Sequence, residues 1–546
     1  MLRRIFPFFA LSLCLVSCGQ PEAPRPNVIL ISIDSLRRDY LGVYGREPLF
    51  AQGIELSPNL DALSAKSTVF DDAFTTTSWT LPSHVSLMTG LSDRHHGVEI
   101  DDYRRDPLHK TLAAGFHEAG YRTGGFFSGP YLDPKYGFGD GFDDYASGMM
   151  TPDDLAQRIQ IWMTSNERQG GPPPPPSFAK DMRDRLSHLD ITSPRVNAHA
   201  DRFLSDVGQK PFFLFLHYFD AHYDHIPDAA ELGLAGKFDP GYKGQMIGEN
   251  WYFNGAVRST TPPHERRISD RDLEHVQALY EAEIHWVDRH IGMILSQLEQ
   301  SGLADNTIIA IVGDHGDEFF EHGSIGHRST LYAELMRIPM ILHIPGVADS
   351  GARVSSVSRI YDIAPTLLDF AGIPALPHSE GVSLRPELEG QSTQHGALGR
   401  IFFGSPSGPN IQDSWRNTRY TVIRGFGIDG NNSNAAGLAV RQKRANANGA
   451  LLVFDRAEDP KEMHPLPQKD PRYQEAVKLF RVDFLQSEAM SASLPHSPIP
   501  HRWAPSKTAE EQATLDSLGY TSSDDDNGET QHMPPLKPFP APNPAH

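Results

Sequence analysis

The hydrophobic positions of this chain follow two rhythms. Short continuous apolar runs at Val28–Ile33, Phe212–Leu216, Thr307–Val312 and Pro339–Ile344 predict buried parallel strands. Between the second and third runs, Leu273, Val276, Tyr280, Ile284, Val287, Ile291, Ile294 and Leu298 recur every three or four residues. That spacing predicts one long helix with a core-facing stripe. Strands and helices in alternation predict an α/β fold: a doubly wound, mostly parallel sheet flanked by helices, with a smaller C-terminal subdomain. Residues 235–268 break the rhythm. They carry Trp251, Tyr252, Phe253, Arg258, Arg266 and Arg267, and read equally as a pocket-shaping insertion and as a plain surface loop. Gly170–Pro176 reads as a polyproline loop, and residues 522–546 as a disordered tail.

The polar residues that follow the apolar runs point to chemistry. Asp34 ends the first run; Asp220 and His222 follow the second; Asp314 and His315 follow the third. Open α/β sheets bind ligands outside the carboxyl ends of their strands. One such Asp is an ordinary turn or helix-cap residue, but three acidic strand exits, two with a nearby His, predict a site.

Composition removes several alternatives. The 546 residues carry 49 Lys plus Arg against 69 Asp plus Glu, a formal charge of −20. Binding to a nucleic-acid polymer rests on basic residues and is not expected. Cys14 and Cys18 are the two cysteines, so the rest of the chain has no disulfide, cysteine zinc site or cysteine nucleophile. Met1–Arg4 is a basic start, and Ile5–Val16 is an apolar run of twelve residues, too short to span a bilayer and suited to a signal peptide. Leu15-Val16-Ser17-Cys18 resembles the bacterial lipobox, which implies a signal over 1–17, cleavage before Cys18, and lipidation of its thiol. An ordinary secretory signal with an incidental Cys is the plainer alternative. Loss of Arg3 and Arg4 would take the charge from −20 to −22. Residues 18–26 then form a leash, and Gly19 after the Cys favours the outer membrane of a bacterial envelope.

One block carries a family resemblance. Thr77-Ser78-Trp79-Thr80-Leu81-Pro82-Ser83-His84 sits at the entry to a helix expected near Ser83, where an anion is favoured. It resembles the nucleophile motif of the sulfatase family, within the alkaline phosphatase superfamily. Asn27–Asp39, Ile311–Gly323, Tyr332–Gly346 and Asp362–Thr366 are similar to further segments of that family in the same order. The resemblance spans roughly residues 26–375 and implies a catalytic domain over 27–375, with a subdomain over 376–521.

The departures from the pattern matter as much. Sulfatases carry Cys or Ser at the first motif position and oxidise it to formylglycine; here it is Thr80. A secondary alcohol cannot become that aldehyde, but it can serve as a metal-activated nucleophile. Ser35 stands where sulfatases have a second Asp, His84 replaces the motif Arg, and residues 124–132 lack the Lys and His that bind sulfate. Thr80, Pro82, His84, Thr89-Gly90 and His96-Gly97 resemble the nucleotide pyrophosphatase/phosphodiesterase branch instead. Phosphoethanolamine transferases also use Thr, with a further His twelve residues after the Asp-His pair; here that is His327.

The resemblance implies a phosphoester hydrolase or phosphotransferase. Asp34, Asp314, His315 and the Thr80 oxygen are expected to bind one divalent ion. His222 and His327, with Asp220 as a weaker candidate, are expected to bind a second ion or the substrate. Mixed imidazole and carboxylate ligands favour Zn or Mn over Ca or Mg. His84 is expected to orient the loop or the substrate. His217, Glu321 and His322 read as structural. The expected partners are a small-molecule, lipid or glycan ester and, through Cys18, a membrane. Two other readings stand beside this one: a sulfuric ester hydrolase without formylglycine, and a non-catalytic glycan-binding surface lipoprotein.

Overall fold

The computed structural model describes residues 25–168, 190–226 except 223, 233–248 except 247, 268–347 except 324 and 329, 351–403 except 392 and 394, 410–426, 451–497, and 505 and 508. The expected signal, Cys18, the polyproline loop, the aromatic and basic residues 251–267, and the tail from 522 lie outside them. No helix among the described residues is long and apolar enough to cross a membrane.

A nine-stranded sheet organises the described chain. Its strands are β1 (Asn27–Ile33), β2 (Thr68–Phe74), β3 (Arg122–Phe127), β4 (Asp144–Ser147), β5 (Phe212–Tyr218), β6 (Thr307–Gly313), β7 (Arg337–Ile338), β8 (Met340–His343) and β9 (Arg353–Arg359). The order is β9-β2-β8-β6-β1-β5-β3-β4, with β7 paired to β2. β1 lies between β5 and β6, parallel to both, with Ser32 opposite His217 and Val312.

The fourth apolar run departs from expectation. β8 runs antiparallel to both β6 and β2. Its approach explains this. Residues 314–336 leave β6 and stay at the carboxyl edge of the sheet, so the chain re-enters from that edge and must run backwards. A parallel return would need a crossover to the opposite edge.

Alternation along the strands sorts the core into two layers. Val28 and Leu30, Phe213 and Phe215, and Ile308, Ala310 and Val312 face one layer. There they meet Leu81, Val85 and Met88 of helix α1 (Thr80–Thr89) and Leu367 and Leu368 of helix α3 (Ile363–Phe370). Ile29, Ile31, Leu214, Leu216, Ile309 and Ile311 face the other layer. Helix α2 (Asp270–Gln300) covers that side with the predicted stripe from Val276 to Leu298. Each such aliphatic side chain stabilises the fold by roughly 1.5–3 kcal/mol. Ser269 caps α2, accepting a bond from the Asp272 amide.

A four-stranded antiparallel sheet follows: β10 (Ala397–Phe403), β11 (Asn410–Arg416), β12 (Tyr420–Phe426) and β13 (Leu451–Asp455). Trp415, Val422 and Val453 pack against Tyr473, Val477 and Phe480 of helix α4 (Pro471–Ser493). Buried Asp413 joins this sheet to the first part of the chain. Its carboxylate accepts from Arg94 at 2.6 Å, Arg400 at 2.9 Å and Arg424 at 2.7 Å.

Candidate active site

Strand alternation delivers the site. Asp34 continues the even-numbered face of β1, Asp314 that of β6, and His217 lies on the odd-numbered face of β5 with Phe213 and Phe215. All three belong to the side of the sheet that α1 covers. Helix α1 begins at Thr80, three residues earlier than expected, so the hydroxyl-bearing residue is itself the first of the helix. No side chain caps this end, which leaves first-turn amides available to an anion.

Glycine makes the approach of α1 possible. Gly90 ends the helix in the left-handed conformation at φ 71°, and a side-chain carbon there would lie 2.3 Å from Ser379 Oγ. His96 holds the same helix through Ser86 Oγ at 3.1 Å. Ser83 Oγ donates to the Asp314 carbonyl at 2.8 Å, tying the first turn to the end of β6.

Thr80 Oγ1 lies 3.4 Å from Asp34 Oδ2 and 3.4 Å from His315 Nε2. Asp34, Asp314 and His315 are fully buried and offer ligand atoms within 4.8 Å of one another. Ser35, at φ 55°, binds both carboxylates: its amide donates to Asp314 Oδ1 at 3.0 Å and its hydroxyl to Asp34 Oδ1 at 3.0 Å. Serine in place of a second acid thus orients the two acids that remain. His315 Nδ1–H donates to the Gly316 carbonyl at 3.0 Å, so Nε2 turns its lone pair toward Asp314 Oδ2 at 3.4 Å.

His217 belongs to the same group, contrary to the structural role its position suggested. Its Nδ1–H donates to the Ser128 carbonyl. Its Nε2 faces Asp34 Oδ2 at 3.4 Å and has no hydrogen-bond partner. The strand parity shared with Phe213 and Phe215 was the signal that could have found it.

A second group adjoins the first. His327 Nδ1 lies 2.6 Å from Asp317 Oδ1, and with His315 these form another set of buried ligand atoms. Asp317 follows the expected Asp-His pair by only two residues and was not anticipated. The His222 ring packs 4.9 Å from that of His327 and stacks on Phe219 at 4.3 Å.

Of two further expected residues, Asp220 lies apart from the group and His84 orients the loop. Asp220 stands in the turn beyond β5. Its carboxylate accepts from the Thr192 amide at 2.7 Å, the Ser193 amide at 2.9 Å and Trp286 Nε1 at 3.1 Å. It therefore secures the start of the helix Ser193–Asp206. His84 is fully buried with both ring nitrogens engaged: Nδ1–H donates to the Thr80 carbonyl at 2.9 Å, and Nε2 accepts from Ser32 Oγ at 2.9 Å. It positions Thr80 and has no nitrogen left for substrate. Glu321 and His322 are structural, bonded to Arg37 and Glu334.

The electrostatics suit a cation. Burial pushes His315 and His327 down to about 4, and His222 and His84 to about 3, favouring neutral imidazoles. Burial and the neighbouring Asp34 charge push the Asp314 carboxyl up. Burial opposes ionisation of Asp34 too, but the facing His217 and the nearby His222 and His315 hold it below the usual range. Asp314 Oδ2, Asp317 Oδ2 and His217 Nε2 are all buried without hydrogen-bond partners. Unpaired buried acceptors are costly, and a divalent ion satisfies several at once. The donor set fits such an ion.

A mostly parallel α/β sheet with acids, imidazoles and a hydroxyl converging at the strand ends is the arrangement of an ester hydrolase with candidate ligands for a divalent ion. The chain belongs to the sulfatase family, whose model matches residues 26–373. An arylsulfatase of Clostridium perfringens is 26% identical over 499 residues, covering 84% of this chain and 93% of the relative. The multifunctional alkaline phosphatase superfamily protein PehA of Trinickia caryophylli is 25% identical over 416 residues, 67% of this chain and 77% of that protein. Among solved structures, the phosphonate monoester hydrolase of Agrobacterium radiobacter superposes with a TM-score of 0.61 at 19% identity, covering 86% of this chain and 96% of its own. A protein solved with D-glucosamine-2-N,6-O-disulfate as its substrate gives 0.63 at 18%, covering 86% and 99%.

Proposed function

We propose that this sulfatase-family hydrolase cleaves phosphoesters, most readily phosphodiesters, through Thr80, or passes the phosphoryl group to an acceptor alcohol. The observation that carries this reading is Thr80 Oγ1 at 3.4 Å from both Asp34 and His315, on the first residue of an uncapped helix. Thr80 has one hydrogen on Cβ beside a methyl, so oxidation there yields a ketone and never the formylglycine aldehyde. What remains is a hydroxyl nucleophile.

The steps follow from the residues. Asp34, Asp314, His315 and His217 would hold a divalent ion beside Thr80, with Asp317, His327 and His222 around a second; their mixed nitrogen and oxygen donors favour Zn or Mn. A bound ion supplies Lewis-acid chemistry, making the hydroxyl acidic and drawing charge from the phosphoryl oxygens. Thr80 loses its proton and its Oγ forms a bond to phosphorus. The bond from phosphorus to the leaving alcohol breaks on the opposite side, and that alkoxide takes a proton. The first-turn amides of α1, without a side-chain cap, would donate to charge that develops beside Thr80. Water, or an acceptor alcohol, then attacks the phosphothreonine, giving product and restoring the hydroxyl. His84 holds the Thr80 carbonyl throughout.

Sulfate ester hydrolysis without formylglycine is the second reading, favoured by the sulfatase names of most of the relatives. The buried ligand groups and the family membership weigh against a non-catalytic glycan-binding protein. The proposal includes a lipid anchor on Cys18 at the bacterial envelope, supported by the lipobox-like residues 15–18. Turnover of p-nitrophenyl phosphate, bis-p-nitrophenyl phosphate and p-nitrophenyl sulfate with Mn or Zn tests the reading. The diester is expected to be fastest; sulfate turnover above both phosphates contradicts it.

A further inference from the structure

The wall of the site beside Thr80 carries a cation that the family pattern does not account for. In the pattern, the Lys and His of a later segment bind the sulfate, and an Arg stands at the fifth motif position. Here the motif position is His84, buried with both nitrogens engaged, and residues 124–132 read GGFFSGPYL. Beside the ions and the first-turn amides of α1, an ester's negative charge can be met by a side chain from another direction.

Arg328 comes from that direction. It directly follows His327, whose ring lies 4.4 Å from that of His315. Its amide donates to the Ser78 carbonyl at 2.8 Å, two residues before Thr80. Its guanidinium carbon sits 4.1 Å from the ring centre of Trp79, the residue that precedes Thr80. Its Nη1 donates to Tyr131 Oη at 3.3 Å, and Nη2 lies 3.9 Å from Asp101. Trp79 and Tyr131 are buried and meet edge to face at 5.4 Å, a rigid seat for the guanidinium plane. The backbone supports the same conclusion. Arg328 is held at φ 64°, a conformation that disfavours a side chain of this size and concentrates at functional sites. The Arg328 side chain is 24% exposed.

We propose that Arg328, seated on Trp79 and aimed by Tyr131, is the specificity residue that binds the non-bridging oxygens of the reacting ester. The assignment rests on the reading of Thr80 as the reacting residue. Planar guanidinium donors match such oxygens, and a charged hydrogen bond in a half-buried wall outweighs one in water.

Calorimetric titration of the metal-loaded protein with inorganic phosphate, and separately with inorganic sulfate, tests this. Arg328→Ala is expected to weaken the bound anion roughly ten- to hundred-fold, with Arg328→Lys recovering part of the loss. KM for the ester should rise more than kcat falls. Tyr131→Phe keeps the ring and removes only the hydrogen bond, and is expected to weaken the anion by about three-fold. It serves in place of Arg328→Ala if that variant does not fold. Binding within two-fold of wild type in the folded Arg328→Ala variant, an unchanged Tyr131→Phe standing in for it, or wild type that binds neither anion, overturns the proposal. Binding of sulfate but not phosphate, weakened by Arg328→Ala, would sink the phosphate reading and leave Arg328 in place.

Discussion

His217 Nε2 and Asp34 Oδ2 face each other across 3.4 Å of buried space. The other ring nitrogen of His217 is committed to the Ser128 carbonyl, so Nε2 is the ring atom turned to the carboxylate. An imidazole nitrogen and a carboxylate oxygen side by side in a buried site are a ligand pair for a divalent ion. His217→Ala is therefore expected to lower affinity for the ion by about 10- to 100-fold, as for the loss of a group that orients or completes a site. Elemental analysis after dialysis measures this, and ion content equal to wild type counts against the role.

Asp220 gives the complementary expectation. It caps a helix and holds Trp286, away from the ligand groups. Asp220→Ala should leave ion content unchanged while reducing stability by about 1–3 kcal/mol. Urea unfolding and elemental analysis on the same sample decide it; a lost ion would place Asp220 back in the site.

A pH dependence of stability follows from His322. Its Nδ1 lies 2.6 Å from Glu334 Oε1 and its Nε2 lies 3.0 Å from the Glu462 carbonyl, so two acceptors require both ring nitrogens protonated. Burial opposes the charge, but Glu334 and the Glu462 carbonyl outweigh it and raise the ring to about 9 from 6.5. The folded state thus holds the proton more tightly than the unfolded chain. The stabilisation is complete below about pH 6.5 and is lost as pH rises through about 9. Each unit of that shift corresponds to about 1.4 kcal/mol. Chemical denaturation between pH 6 and 10 should show the decline, and His322→Asn should flatten it; an equal slope in the variant refutes the assignment.

Asp34, Asp314 and His315 were legible as strand exits, and Thr80 and His327 through the family resemblance. Asp34 and Asp314 extend strand faces whose even positions are Val28, Leu30, Ile308 and Val312, and those faces meet α1. On β5 the same rule puts His217 on that face with Phe213 and Phe215, whereas Asp220 and His222 lie in the turn beyond the strand, where parity no longer applies. Which of the turn residues enters the site is set by the fold of the turn, with Asp220 bonded to the Thr192 and Ser193 amides and His222 packed on His327. Asp317 was not legible because its place depends on the loop after β6. There Gly316 lets the chain pass against Glu334, with a side-chain carbon 2.0 Å from the Glu334 carbonyl were one present. The antiparallel direction of β8 has the same origin, since a hydropathy run does not encode the edge from which a strand enters.

The central claim is that Thr80 forms a covalent bond to phosphorus. The direct measurement is acid quench of the metal-loaded protein during turnover of a phosphodiester, followed by peptide mass spectrometry. The account predicts a phosphoryl group on Thr80, no adduct in Thr80→Ala, and a fall in kcat of about 10³-fold or more in that variant. Thr80→Ala turning over at the wild-type rate, or a sulfuryl adduct formed from sulfate ester in preference to the phosphoryl one, would contradict it.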